Sequence, residues 1–344
     1  MKLTNVVGIV GIFTLLLSCS TEDSGFIPGY SGSFGEVVIV IENNTWKGDV
    51  GDSVMSKLNP ELYGFPQEEH AFTMIQIPPD RFQSVLKTHR SIIVIETNST
   101  KNTDGHGFNV LKNKWAKGQV LLQFNAENRE DLFDLLNKNG ADAVRILQSA
   151  ETNRLVLKNK KFGDDQLNKS IESIAGFGIT CQKDWEIQNT DSNSIWLRLE
   201  RERPKGGYQH QISQGILISW TAYTDKLQFL DTNLFMSINR ELKKTIPGPG
   251  LEQFMQMASD YMPPQSREIN FKNSFGKEIR GLWRMEGNFM GGPFICYSFL
   301  DEEKQRIVQV YGYVYSPQFS KREYLREVEA IILSITPSEV NKGI

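Results

Sequence analysis

The chain has 344 residues, 39% of them hydrophobic and 23% charged, with a formal net charge of −3. That is enough for one large folded domain or two ordinary ones, and too balanced a composition for a disordered chain. No basic excess exists to suit nucleic acid or a polybasic membrane patch, so neither is expected as a partner.

Residues 1–18 read as a leader. Lys2 precedes an apolar run over 6–17, which ends at Ser18-Cys19. A basic start, an apolar stretch and a small residue before cysteine form the layout of a bacterial lipoprotein signal peptide, with Cys19 as the acylated residue. The run is shorter than the ~20 apolar residues a span needs, and Gly8, Gly11 and Thr14 interrupt it. Cysteine after the cleavage point separates it from an ordinary secretory signal. The expectation is a lipoprotein whose membrane anchor is a diacylglyceryl group with a palmitate-type third chain, each buried methylene adding ~0.8 kcal/mol. Ser20, rather than Asp, points to the outer membrane of the cell envelope, facing the periplasm or the surface. Residues 19–33, rich in Ser, Gly and Pro, read as a flexible tether.

A nearly continuous β-branched run over 35–42 predicts a strand covered on both faces. A short helix follows over 49–58. Residues 72–77 are strand-like, Pro78-Pro79-Asp80 marks a break, and Phe82, Val85, Leu86 and His89 fall at helical spacing. Strands are predicted at 92–96 and 119–124, with a polar loop at 98–109 between them. A helix over 128–138 is expected to end at Gly140, and a second helical stretch to run over 141–159. The lysine-rich segment at 158–161 marks a boundary, so an N-terminal α/β lobe is assigned to 34–162 and a C-terminal lobe to 163–338.

In the second lobe Asp164-Asp165 opens a helix carrying Leu167, Ile171 and Ile174. Strands are read at 177–187, 195–200 and 215–222, then a helix over 231–245 stopped by Pro247-Gly248-Pro249-Gly250. Four strands, at 267–272, 278–285, 294–300 and 306–315, read as an antiparallel meander. Ser320 is expected to cap a final helix presenting Leu325, Val328, Ile332 and Ile335. The fold class is therefore α+β: an α/β lobe followed by an antiparallel sheet with packed helices.

The cysteine at 19, Gly281-Leu282-Trp283, Gly291-Gly292-Pro293-Phe294 and the run Gly312-Tyr313-Val314-Tyr315-Ser316-Pro317 together resemble an uncharacterised lipoprotein family of Bacteroidetes-type bacteria, a domain of unknown function. The resemblance implies an envelope lipoprotein and brings no activity, cofactor or catalytic residue. In element order alone the last 150-odd residues are similar to the Mog1/PsbP-like α/β/α sandwich, and a shared fold would not fix function.

Motifs for chemistry are sparse. His70, His89, His106 and His210 form no H-E-x-x-H or i, i+4 pair, and Asp104 with His106 is too small a set for a zinc site. Ser84-Val85-Leu86-Lys87 matches S-x-x-K and Ser237-Ile238-Asn239 imitates S-x-N, but the Lys205-Gly206-Gly207 element precedes the latter and lacks Thr, so these read as chance. No metal, cofactor or catalytic residue is assigned. Asp52-Ser53-Val54 resembles an O-glycan attachment sequence, though a helix start explains it more simply.

Cys181 and Cys296 lie in apolar, strand-like stretches. An envelope compartment permits a disulfide between them, and two separate buried thiols are the preferred reading. Among six tryptophans, Trp185, Trp196 and Trp220 fall in strand patterns and read as core. Trp283, flanked by Arg280, Arg284 and Glu286, is the candidate for surface binding among them, though core packing is the preferred reading of it. The function expected is non-catalytic: binding an envelope protein or glycan, or structural support. The alternative is an envelope hydrolase acting on glycan or cell-wall material.

Overall fold

The computed structural model describes residues 27–97 and 107–337. The predicted leader, Cys19, Asp104 and His106 lie outside the described residues. The first lobe runs β1 (Glu36–Val40), α1 (Asn43–Trp46), α2 (Asp49–Leu58), β2 (Thr73–Ile77), β3 (Ser91–Thr97), β4 (Gly107–Lys112), β5 (Val120–Ala126) and α3 (Arg129–Phe162). Its strand order is β2-β1-β3-β5-β4, parallel except for β4, which runs antiparallel to β5. The β1 run is buried on both faces, as predicted. Val37 and Ile39 pack with α2 and α3, while Val38 and Val40 pack with Ile92, Leu121 and Phe82.

Three expectations for this lobe are corrected. The helix read at 82–89 is instead two 3₁₀ turns, Pro79–Arg81 and Ser84–Thr88, with Val85 exposed. Two consecutive prolines remove N–H donors, Ser84 sits at φ +45°, and the segment must cross over β1 to reach β3. Gly140 does not end a helix, because α3, 34 residues long, runs through it. A Cβ there would stand 3.2 Å from both the Cβ and the carbonyl oxygen of Lys57, so this glycine lets α2 and α3 approach closely. Finally, the strip from Pro28 to Ser31, assigned to the tether, is docked. Lys117 N donates to Pro28 O, Ser31 N to Thr88 O, and Arg90 N to Ser31 O. The guanidinium groups of Arg90 and Arg154 lie 4.8 and 5.2 Å from the Tyr30 ring centroid, an attraction that a Ser/Gly-rich composition conceals.

The second lobe comprises α4 (Asp165–Ala175), β6 (Phe177–Gly178), β7 (Glu186–Asp191), β8 (Ser194–Lys205), β9 (Tyr208–Ala222), α5 (Asp231–Thr245), β10 (Met255–Met257), β11 (Gln265–Phe271), β12 (Ser274–Met285), β13 (Gly291–Asp301), β14 (Arg306–Tyr315), α6 (Arg322–Leu333) and β15 (Thr336–Pro337). Its large sheet, β10-β12-β13-β14-β9-β8-β7 with β11 also on β12, is antiparallel throughout. The predicted meander is β11 to β14. Alternation assigns the two faces: Ile295 and Tyr297 pack with α4 and α6, Phe294 and Cys296 with α5. The molecule is α+β, with an antiparallel C-terminal sheet between helices.

The strand expected over 177–187 is broken. Side chains take the amides there: Ser334 Oγ accepts from Thr180 N and Asn168 Oδ1 from Cys181 N, leaving no ladder for a continuous strand. Strands β8 and β9 run further than their apolar pattern, forming an exposed ribbon that turns at Gly206 and Gly207, both at positive φ. Asp164 caps α4 as predicted, accepting from the amides of Gln166 and Leu167.

The lobes meet at the start of α6, where Ser320 is not the cap. The carboxylate of Glu69, a buried first-lobe residue, accepts from Lys321 N at 2.8 and 3.0 Å and from Arg322 N at 2.9 Å. A helix N-terminus carries unsatisfied donors and a partial positive charge, and a carboxylate answers both. Arg322 Nη1 and Arg326 Nη2 then donate to His70 O and Ala71 O. Replacing Glu69 with Ala leaves the amides of Lys321 and Arg322 without their acceptor. A loss of about 2–3 kcal/mol is expected in urea unfolding, with Glu69→Gln recovering part of it. An unchanged midpoint for Glu69→Ala would refute the capping role.

Candidate functional site: the cleft between the lobes

A cavity of about 580 Å³ opens where the lobes meet. Its walls come from α3, α6, the β11–β13 edge of the large sheet and the loop at 62–65. That loop is pinned from both sides. Tyr63 OH donates to Pro263 O at 2.5 Å, and Gly64, at φ +83°, lies so close to β12 that a Cβ would be 3.0 Å from Gly281 Cα. Gly281, part of the Gly-Leu-Trp run, is thus a backbone contact point between the lobes.

A charged network lies along the sheet wall. Glu278 is 4% exposed and accepts from Arg267 Nη2 at 2.5 Å and Arg280 Nε at 2.6 Å. Arg280 Nη2 reaches across to Glu329 of α6 at 2.7 Å, and Tyr297 OH donates to Glu329 at 2.8 Å. Burial alone would raise Glu278, but Arg280 and then Arg267 outweigh it and hold the carboxyl below the ordinary 4.5. Burial and the neighbouring carboxylates of Glu329 and Glu278 push Tyr297 well above its usual value. Glu278 is therefore a fixed anion and a hydrogen-bond acceptor, poorly suited to donate a proton at neutral pH.

The lining carries Arg145, Arg267, Arg280, Arg322 and Arg326 against Glu278 and Glu329; with Asp142 and Glu323, which pair Arg145, Arg322 and Arg326 from beside it, five positive charges meet four negative ones, a small positive excess. Arg322 and Arg326 are committed to the junction through His70 O, Ala71 O and Glu323. Arg145 and Arg267, each 69% exposed, retain donors beyond their single partners Asp142 and Glu278. Leu62, Phe65, Val144, Leu325 and Leu333 supply apolar wall.

The predicted binding residues do not form one site. Trp283 is 2% exposed and belongs to the core beneath α5, with Nε1 donating to Val314 O at 3.1 Å. Strand alternation sends Arg280 to the opposite face, where it lines the cleft. Arg284 and Glu286 sit further along: Arg284 pairs with Asp260 at 2.6 Å, and Glu286 accepts from Gln256. The expected surface around Trp283 is therefore corrected to core plus one cleft residue. Cys181 and Cys296 are free, buried thiols in two different core clusters on opposite faces of the sheet, so no disulfide joins them. Burial pushes both up to about 12, which keeps them unreactive.

The sequence reading missed Glu69, Glu278, Tyr297, Arg326 and Glu329. One signal was legible: Arg326 and Glu329 lie three apart, beside the apolar stripe of α6. Among the described residues no group of His, Cys, Asp and Glu is arranged to hold a metal ion, and no helix is long and apolar enough to cross a membrane.

Because Glu278 titrates lower in the folded protein than in the unfolded chain, its contribution is complete above pH 4.5 and fades as pH falls through the lower folded value. Glu278→Gln is expected to cost about 1–3 kcal/mol at neutral pH, since it removes the buried carboxylate that pairs the half-buried Arg280 and the exposed Arg267. It should also flatten the loss of stability in acid. Urea titrations of both proteins across this range test the pair; parallel pH profiles would refute it.

Residues 164–334 match the family model described as Domain of unknown function (DUF4837), and residues 31–160 match that described as Domain of unknown function (DUF8532). Comparison with curated proteins gives no match. A crystal structure of a protein from Bacteroides thetaiotaomicron VPI-5482 aligns over 49% of this chain at 8% identity with a TM-score of 0.25, a likeness too slight to carry an argument. The chain spans about half of that protein's length, 46%. The chain thus carries one region matching DUF8532 followed by one matching DUF4837, both described as domains of unknown function.

Proposed function

We propose that the protein is an outer-membrane lipoprotein, held by acyl chains on Cys19, that binds a ligand in the inter-lobe cleft without transforming it. The single observation behind the binding role is the cleft itself. It is of a size suited to small molecules, mixes apolar wall with a few placed polar groups, and lies at a domain junction, where binding sites concentrate. Its buried carboxylate Glu278 is held as an anion by Arg280 and Arg267, which favours recognition over proton transfer.

The anchor rests on the sequence alone: Lys2, the apolar run and Ser18-Cys19. With it goes the proposed division into a leader over 1–18, lobes over 34–162 and 163–338, and a tether from 19. Since docking begins at Pro28, the tether from Cys19 reaches at most about 30 Å, which would keep the body close to the bilayer.

Fractionation of cells making the native chain and a Cys19→Ser variant tests the anchor. The native protein is expected in the outer-membrane fraction and labelled by fatty acid. The variant should be unlabelled and should leave that fraction. Membrane retention of the variant at native levels would refute the proposal.

A further inference from the structure

We infer that the cleft takes an organic oxyanion, a carboxylate or phosphate joined to an apolar body, with Arg145 and Arg267 as its charge contacts. This deepens the binding role proposed above and rests on it. Glu278 offers a cation little, because Arg280 and Arg267 take one of its oxygens each, and Glu329, bonded at Oε1 by both Arg280 and Tyr297, keeps only Oε2 beside a guanidinium. What remains is positive. Arg267, on β11, gives one Nη to Glu278, and its Nε and other Nη are uncommitted in the bonds described. Arg145, on α3, holds Asp142 in an exposed i, i+3 pair, a contact weak enough to exchange for a ligand.

The two guanidinium groups belong to opposite lobes, so an anion between them would bridge α3 and β11. A planar guanidinium matches the two oxygens of a carboxylate or phosphate, which makes arginine better suited to this task than lysine. Leu62, Phe65, Val144, Leu325 and Leu333 give the rest of the ligand an apolar bed, while Gln148, Ser149 and Gln265 supply neutral hydrogen-bond partners. Anchoring the charged end at the rim also avoids desolvating a new ion in the buried part of the network.

The test uses the purified Cys19→Ser full chain and ligand-observed NMR with 4-phenylbutyrate, phenyl phosphate, 4-phenylbutyramide and 4-phenylbutylamine. The two anions are expected to bind, more weakly at high salt, and the amide and amine to bind at least tenfold more weakly. Arg145→Ala and Arg267→Glu should each lower anion binding tenfold or more. Arg145 is the cleaner variant because Arg267 also supports Glu278, so a thermal melt accompanies both. Equal binding of amide and butyrate, or full binding by folded Arg145→Ala, would overturn the charge assignment while leaving a binding cleft in place. If neither anion binds, the inference falls. If the amide and the amine also fail at millimolar concentration, the binding role falls with it. Localisation of the lipidated chain is unaffected by any of these results.

Discussion

One carboxylate ties the molecule together. Glu69 ends a first-lobe loop and closes the amino end of a second-lobe helix, so the first turn of α6 is completed only when the lobes meet. Helix ends need partners for their free amides, and here the partner is borrowed across the interface. The neighbouring arginines, 322 and 326, bond carbonyls of the same loop, fixing direction as well as contact. The cleft lies where α3 of the first lobe packs beside α6 of the second.

The charged network of the cleft is set within the second lobe. Glu278 and Glu329 come from a strand and a helix that meet only in the folded second lobe, and Arg280 bridges them. Buried ions of this kind contribute little net stability compared with apolar packing, but removing one partner is costly. A network like this fixes orientation. It holds Glu278 ionised with both of its oxygens engaged and leaves the arginines at the rim as the cleft's available charge. The apolar core does the bulk stabilisation elsewhere, with one layer on each face of each sheet.

Much of the architecture was legible in order of appearance. The β1 run, the α2 and α5 segments, the Asp164 cap and the four-strand meander each carry a local signal: period, breaker or capping residue. The misreadings share a cause. Gly140 resembles a helix stop because a glycine's reason for being there is invisible until Lys57 is placed against it. Likewise the spacing of Phe82 to His89 fits a helix, yet the path over β1 requires tighter turns. Trp283 among charged neighbours looks like a surface aromatic because alternation shows that two faces differ, not which of them α5 covers.

By itself, the sequence determined the class of fold and most of the helices and strands, and it carries the Ser18-Cys19 pattern on which the proposed lipid anchor rests. Tertiary structure alone decided the Glu69 cap, the separation of Cys181 from Cys296, the burial of Trp283 and the assembly of the arginine-lined cleft. The dividing line is contact range. Propensity, periodicity and capping act over a few residues and leave marks in the sequence, whereas charges that meet across hundreds of residues leave none until packing brings them together.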